Sequence, residues 1–127
     1  MTRLIEQTLS LYASQFGDPY DAVYAKLYAM DSDYEGLFLL DTDEGLRRNM
    51  MRTTLEIIST YLDDRTAAAN RVVGAQMSHI TYDVEDAFHT FFDITRDVIA
   101  ESLGEAFTRA HAQAWNTMLD DLRNAQI

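Results

Sequence analysis

The sequence predicts an all-α fold, and three observations predict it. Apolar residues recur at i, i+3, i+4 and i+7 along most of the chain, and no strand-like alternation competes with them. One proline and five glycines in 127 residues are few for the turns of a sandwich or barrel, and suit long helices with short connections. Finally, 127 residues make one domain, 1–127, which buries roughly two-thirds of its unfolded surface without staples. The composition, 47% hydrophobic and 24% charged, is that of an ordinary globular protein.

About six main helices follow in order. Ile5, Leu9, Tyr12 and Phe16 mark one face of the first. Gly17-Asp18-Pro19 breaks it, and Asp18 as N-cap with Pro19 as first residue starts the next. That second helix carries Tyr20, Val23, Tyr24, Leu27, Tyr28 and Met30. Asp31-Ser32-Asp33 marks a turn or a single helical turn, leading to the apolar knot Leu37-Phe38-Leu39-Leu40. Asp41-Thr42-Asp43-Glu44 clusters acids where a helix dipole favours them. The helix behind it runs to about Leu62 on Leu46, Met50, Met51, Leu55, Ile57, Ile58 and Tyr61. Asp63-Asp64-Arg65-Thr66 opens a segment in which Ala69, Val72, Gln76 and His79 share a face. Thr81-Tyr82-Asp83 breaks it, and Asp83 can cap a long helix bearing Val84, Phe88, Phe91, Val98 and Ile99. Gly104 supplies a left-handed end. The last helix carries Phe107, Ala110, Ala114, Trp115, Met118 and Leu122.

The charge balance excludes several classes. Ten basic against 21 acidic residues give a net charge of −11. Such a surface repels phosphate backbones and anionic membranes, so neither nucleic acid nor membrane is an expected partner. The absence of cysteine removes disulfides, zinc–thiolate sites, iron–sulfur clusters and cysteine nucleophiles. No apolar run approaches the roughly 18 residues of a membrane span. The first residues, Met1-Thr2-Arg3-Leu4-Ile5-Glu6, do not read as a signal peptide. A cytoplasmic location is expected.

Three histidines remain: His79, His89 and His111. There is no HExxH, no Glu-x-x-His, no GxSxG, no P-loop and no GxGxxG, so zinc protease, di-iron, serine hydrolase and nucleotide sites are not expected. His79 lies at the last turn of its helix, in line with Val72 and Gln76. A single imidazole holds a bare ion poorly, but it can hold iron that a porphyrin already carries. The competing reading is a satisfied core histidine. His89 and His111 suit surface or helix-contact roles. Met77 points about 160° away from the face of His79.

Several local strings, taken in order, resemble the bacterial single-domain globins and the globin part of flavohaemoglobins. Val23-Tyr24-Ala25-Lys26-Leu27-Tyr28, followed by Tyr34-Glu35-Gly36-Leu37-Phe38, is similar to that family's second helix and corner. His79 followed by Tyr82-Asp83-Val84 and Phe88 is similar to its proximal histidine and the step after it. Thr90-Phe91-Phe92, Leu103-Gly104-Glu105 and Ala114-Trp115 continue the likeness through the last two helices. No single motif is specific; the joint order and spacing carry the resemblance.

The resemblance implies a globin-like fold and haem b, iron protoporphyrin IX, held by His79 as the metal ligand. Phe38 would pack on the haem face, and Tyr24 would reach a bound gas from the distal side. The distal helix admits two registers: Arg47 at the gate with Met51 one turn deeper, or Leu46 with Met50. Arg47 would then donate to the gas or pair with a propionate; otherwise it is a solvated cation. Tyr20, Tyr24 and Tyr28 also form a stripe at helical spacing, so Tyr24 reads equally as an aromatic core rung.

There are departures from the family pattern. The His79–Phe88 interval is one residue short, Tyr82-Asp83 replaces Leu-Gly, and Phe88 lacks the hydroxyl often found there. The C-terminal acid of flavohaemoglobins is missing, which weakens the case for peroxidase-like chemistry. The expected function is reversible binding of oxygen or another diatomic gas, for supply, scavenging or sensing. Nitric-oxide turnover would need an external reductase, and the partner set leaves room for a homodimer. The alternative is a haem-free globin-like module acting through protein–protein contact.

Overall fold

The computed structural model describes residues 2–81 and 85–125, with side chains for all of these except 78–81 and 85–87. Every regular element among the described residues is helical. In chain order they are α1 (Thr2–Phe16), α2 (Tyr20–Met30), α3 (Asp33–Gly36), α4 (Gly45–Asp63), α5 (Arg65–Thr81), α6 (Glu85–Leu103), a 3₁₀ turn (Gly104–Ala106) and α7 (Arg109–Arg123). The expected six main helices are therefore present, with a single helical turn at Asp33–Gly36.

The boundaries follow local chemistry. Gly17 adopts φ +76° and ends α1. Asp18 then accepts from the Tyr20 amide at 2.9 Å, but Pro19 lies just outside α2 rather than inside it. Gly104 takes φ +56°, the left-handed conformation its position predicted. Thr108 opens α7 through a capping box in which the N3 residue is His111. The imidazole thus performs the role more often filled by Glu or Gln.

Packing places α1 against α6 and α7, α2 against α6, and α4 beside α5. The core runs through the middle: Ile5, Val23, Ile57, Ile58, Val72, Ile94, Ile99, Trp115 and Met118 are essentially without solvent contact. One polar pair crosses it. The Trp115 indole N–H donates to Thr8 Oγ1 at 2.9 Å, and Thr8 donates in turn to the Ile5 carbonyl at 2.7 Å. This tie fixes α7 on α1. Phe16, placed by periodicity on the inner face of α1, is instead half exposed. It lies in the last turn of α1 and rests on Tyr12 with ring centroids 5.2 Å apart.

Candidate functional site

Three of the residues singled out above converge at one corner, between α2, the loop 37–44 and the first turn of α4. Tyr24 lies at its centre. Its ring is buried and meets Phe38 edge-on at 5.8 Å and Phe91 of α6 at 5.3 Å. Its hydroxyl donates to the Arg47 carbonyl at 2.8 Å. Tyr20 and Tyr28 flank it at 4.9 and 6.0 Å. The helical stripe of tyrosines is thus both a core feature and the wall of this corner.

Arg47 is anchored rather than free. Its Nε donates to Asp41 Oδ2 at 3.0 Å and its Nη2 to the Asp41 carbonyl at 2.7 Å. Nη1 approaches the Tyr28 hydroxyl at 3.5 Å, and the guanidinium carbon lies 5.8 Å from the Phe38 ring centre. Asp41 also accepts from the amides of Leu46 and Arg47, each at 2.9 Å. One carboxylate therefore caps α4 and neutralises the arginine in its first turn. Glu44, the nominal N-cap, has φ +61° and makes no side-chain cap bond. It instead accepts from the Tyr20 hydroxyl at 2.9 Å.

The electrostatics follow from these contacts. Burial alone would raise the Asp41 carboxyl, but the two amides and the Arg47 guanidinium outweigh it and hold the pKa below the usual carboxylate range. Arg47 is pushed upward, first by Tyr28 and then by Asp41, and stays charged. Burial drives the Tyr24 phenol far above its ordinary range, so it is a hydrogen-bond donor and never a phenolate. Burial and then Glu44 push Tyr20 up to about 12.

The two proposed distal registers differ in burial. Met51 is 3% exposed, Met50 is half-buried and Leu46 is 54% exposed. Met51 nevertheless faces a different space. It lines an open groove of about 590 Å³ between the α1–α2 junction and α4, with Ala13, Pro19, Tyr20 and Leu55 among its other walls. The Arg48 guanidinium lies 4.5 Å above the Tyr20 ring at its edge.

The His79 backbone belongs to α5, but its side chain lies outside the described residues, as does the Tyr82-Asp83-Val84 step. Three positions before it, Gln76 contacts α6: its amide nitrogen lies 2.7 Å from His89 Nε2. His89 is half-buried, and its pKa is lowered by burial, then by Arg123, with Asp93 opposing. The imidazole is therefore neutral near pH 7 and accepts from the amide. His89 makes the helix contact expected of it.

Sequence reasoning missed Asp41 as the partner of Arg47, and it missed Phe91 and Glu44 as walls of this corner. The i, i+6 spacing of an acid and an arginine across a helix start was the available signal for the first. Phe91 and Glu44 come into place only through tertiary packing. Among the described residues, no cluster of three or more His, Asp or Glu side chains forms a cage for a bare metal ion. Comparisons with protein-family models, curated proteins and solved structures return no match.

Proposed function

We propose that this chain is a globin-like haem protein that reversibly binds oxygen or another diatomic gas. One observation carries the reading. Tyr24, Phe38 and Arg47, which the family resemblance assigns to the ligand side of a haem, come from α2, a loop and α4 and meet within one corner. Nothing in their sequence spacing requires that meeting. The order of six main helices with a single turn after the second is consistent with it.

The residue types at this corner suit the distal side of such a group: Phe38 an apolar ring, Tyr24 a donor that stays protonated, and Arg47 a cation, although in the structure Tyr24 and Arg47 already bond within the chain. A porphyrin brings four nitrogens of its own, so it asks for one imidazole rather than a cage of side chains. His79 would supply that imidazole from α5, an assignment that rests on the resemblance; Met51, which the resemblance also assigns to the haem, lines the separate groove beside the α1–α2 junction instead. When bound, haem iron supplies the gas-binding position. The residues of the chain exclude water, orient the ring and donate one hydrogen bond.

Titration with haemin tests this reading. A bound Soret band is expected for the wild type and a changed one for His79→Ala. Free-haemin spectra from the wild type would sink the proposal, and identical binding by both proteins would remove His79 as the ligand.

A second reading has its own support. Among the described residues, no buried side-chain polar atom lacks a hydrogen-bond partner. The Tyr24 hydroxyl and the Arg47 guanidinium are both satisfied within the protein, so the corner is complete with no ligand. That is what a haem-free globin-like module working through protein contacts would show.

A further inference from the structure

The outer side of the same corner is uncovered. Leu37, Leu39, Leu40 and Leu46 are 56, 76, 98 and 54% exposed. They are held out by ordered backbone. The amides of Leu37, Phe38, Leu39 and Asp41 donate to the carbonyls of Tyr34, Glu35, Gly36 and Phe38 in successive turns. The Leu46 amide is fixed by Asp41. Scattered single leucines are normal on protein surfaces; here four exposed ones fall within the ten residues 37–46, about one hydrogen-bonded loop.

The charge around them selects the occupant. Residues 31–46 contain six of the 21 acids (Asp31, Asp33, Glu35, Asp41, Asp43 and Glu44) and no lysine or arginine. Asp41 is neutralised by Arg47, which leaves Asp31, Asp33, Glu35, Asp43 and Glu44 as the acids of this segment, with Arg47 and Arg48 directly after it. A second copy placed face to face would bring the same acids against these. Anionic lipid headgroups would be repelled likewise. A protein surface with an apolar centre and a basic rim meets both features.

We infer that Leu37, Leu39, Leu40 and Leu46, flanked along the chain by the exposed acids Asp31, Asp33, Glu35 and Asp43, form a docking surface for a basic, apolar-centred protein partner. The surface does not depend on haem, since Leu37, Leu39 and Leu40 are not assigned to it and Leu46 is so only in the alternative distal register.

The experiment uses the full chain, with a dye-labelled amphipathic peptide of lysines and leucines as the probe, read by fluorescence anisotropy. The wild type is expected to bind it, more weakly as salt rises. Leu39→Ser with Leu40→Ser should weaken binding at least about tenfold, because each leucine loses most of its apolar burial. A peptide with the same lysines but serine for leucine should not distinguish the two proteins. Both leucines are exposed, so helix content by circular dichroism should be unchanged. Asp33→Asn with Glu35→Gln, which leaves the leucines intact, should flatten the salt dependence.

Three results would each overturn the inference: no peptide binding, equal binding by the serine variant, or leucine-dependent self-association or vesicle binding in place of peptide binding. Haemin titration of the same samples is a separate readout, so either proposal can fail alone.

Discussion

Tyr24→Phe separates a structural tyrosine from a ligand-facing one, because the sign of its effect is diagnostic. The hydroxyl has one proton, and that proton is donated to the Arg47 carbonyl at 2.8 Å. A satisfied bond of this kind contributes about 0.5–1.5 kcal/mol net. The carbonyl sits in the first turn of α4 and keeps its helical partner, so no full desolvation cost is added. Loss of about 1 kcal/mol is expected, a fall in midpoint of roughly 4 °C for a domain of this length. Denaturant unfolding followed by helix circular dichroism measures it. Had the hydroxyl been buried without a partner, its removal would stabilise the protein by about 1–3 kcal/mol. An unchanged or raised stability therefore refutes the bond. The same proton limits what Tyr24 can do for a gas. Donation to a ligand means giving up Arg47, so the net gain is the difference between two hydrogen bonds, at most about 1 kcal/mol. Tyr24→Phe in haem-loaded protein should then speed gas release by up to about fivefold. No change in release would leave Tyr24 with its structural role alone.

The other predictions concern the supports of the fold. Thr8→Val should cost about 1–3 kcal/mol by orphaning the buried indole N–H of Trp115, and Thr8→Val in a Trp115→Phe background should cost less. With one tryptophan in the chain, unfolding by fluorescence reports the single variant directly, and equal costs in the two backgrounds would deny the Thr8–Trp115 coupling. In an alkaline titration of the seven tyrosines, Tyr20 and Tyr61 should ionise late. Each is pushed up to about 12 by burial, then by Glu44 or Asp121. Their folded pKa values exceed the unfolded one, so the stability they contribute is complete below about pH 10 and lost as pH rises through about 12. Tyr61→Phe, which gives up the 2.5 Å bond to Asp121, should shallow that alkaline loss, and an unaltered profile would count against the assignment. His89 runs the other way. Its folded pKa is depressed, so its contribution is present above 6.5 and falls as acid protonates it. His89→Gln should flatten stability between pH 7 and 5, and an NMR titration showing an ordinary His89 pKa would contradict the burial argument.

How much of this was legible in the sequence depended on range. Helical period alone located α1, α2, α4 and α7, because the apolar stripes of Val23-Tyr24-Leu27 and of Trp115-Met118-Leu122 repeat along one face and need no distant information. Gly104 was readable because an αL end has few other tenants. Phe16 misled, since period places a residue on a face but does not say how far that face is covered. Glu44 was read as part of a cap cluster. Its side chain instead crosses 24 positions to Tyr20, and Asp41 does the capping from further back. Such bonds are settled by how the loop folds, and a propensity scale sees only the composition they share.

Loop 37–44 is where folding needs alone do not account for the residues. On its inner side every polar demand is met: Asp41 serves two amides and a guanidinium, and Phe38 packs between Tyr24 and Arg47. On its outer side the apolar demand is unmet, with Leu40 almost wholly in water. A sequence under selection for stability alone would carry polar residues at 37, 39 and 40, since replacing them loses no core contact and lowers aggregation risk. Acids on either side act against self-association while leaving the leucines uncovered. Local rules broken where the backbone is well ordered indicate a site of function. The inner corner closes on itself without a ligand. The outer corner has no way to close within the chain as described, and the case for a macromolecular partner is therefore carried by more than the haem reading.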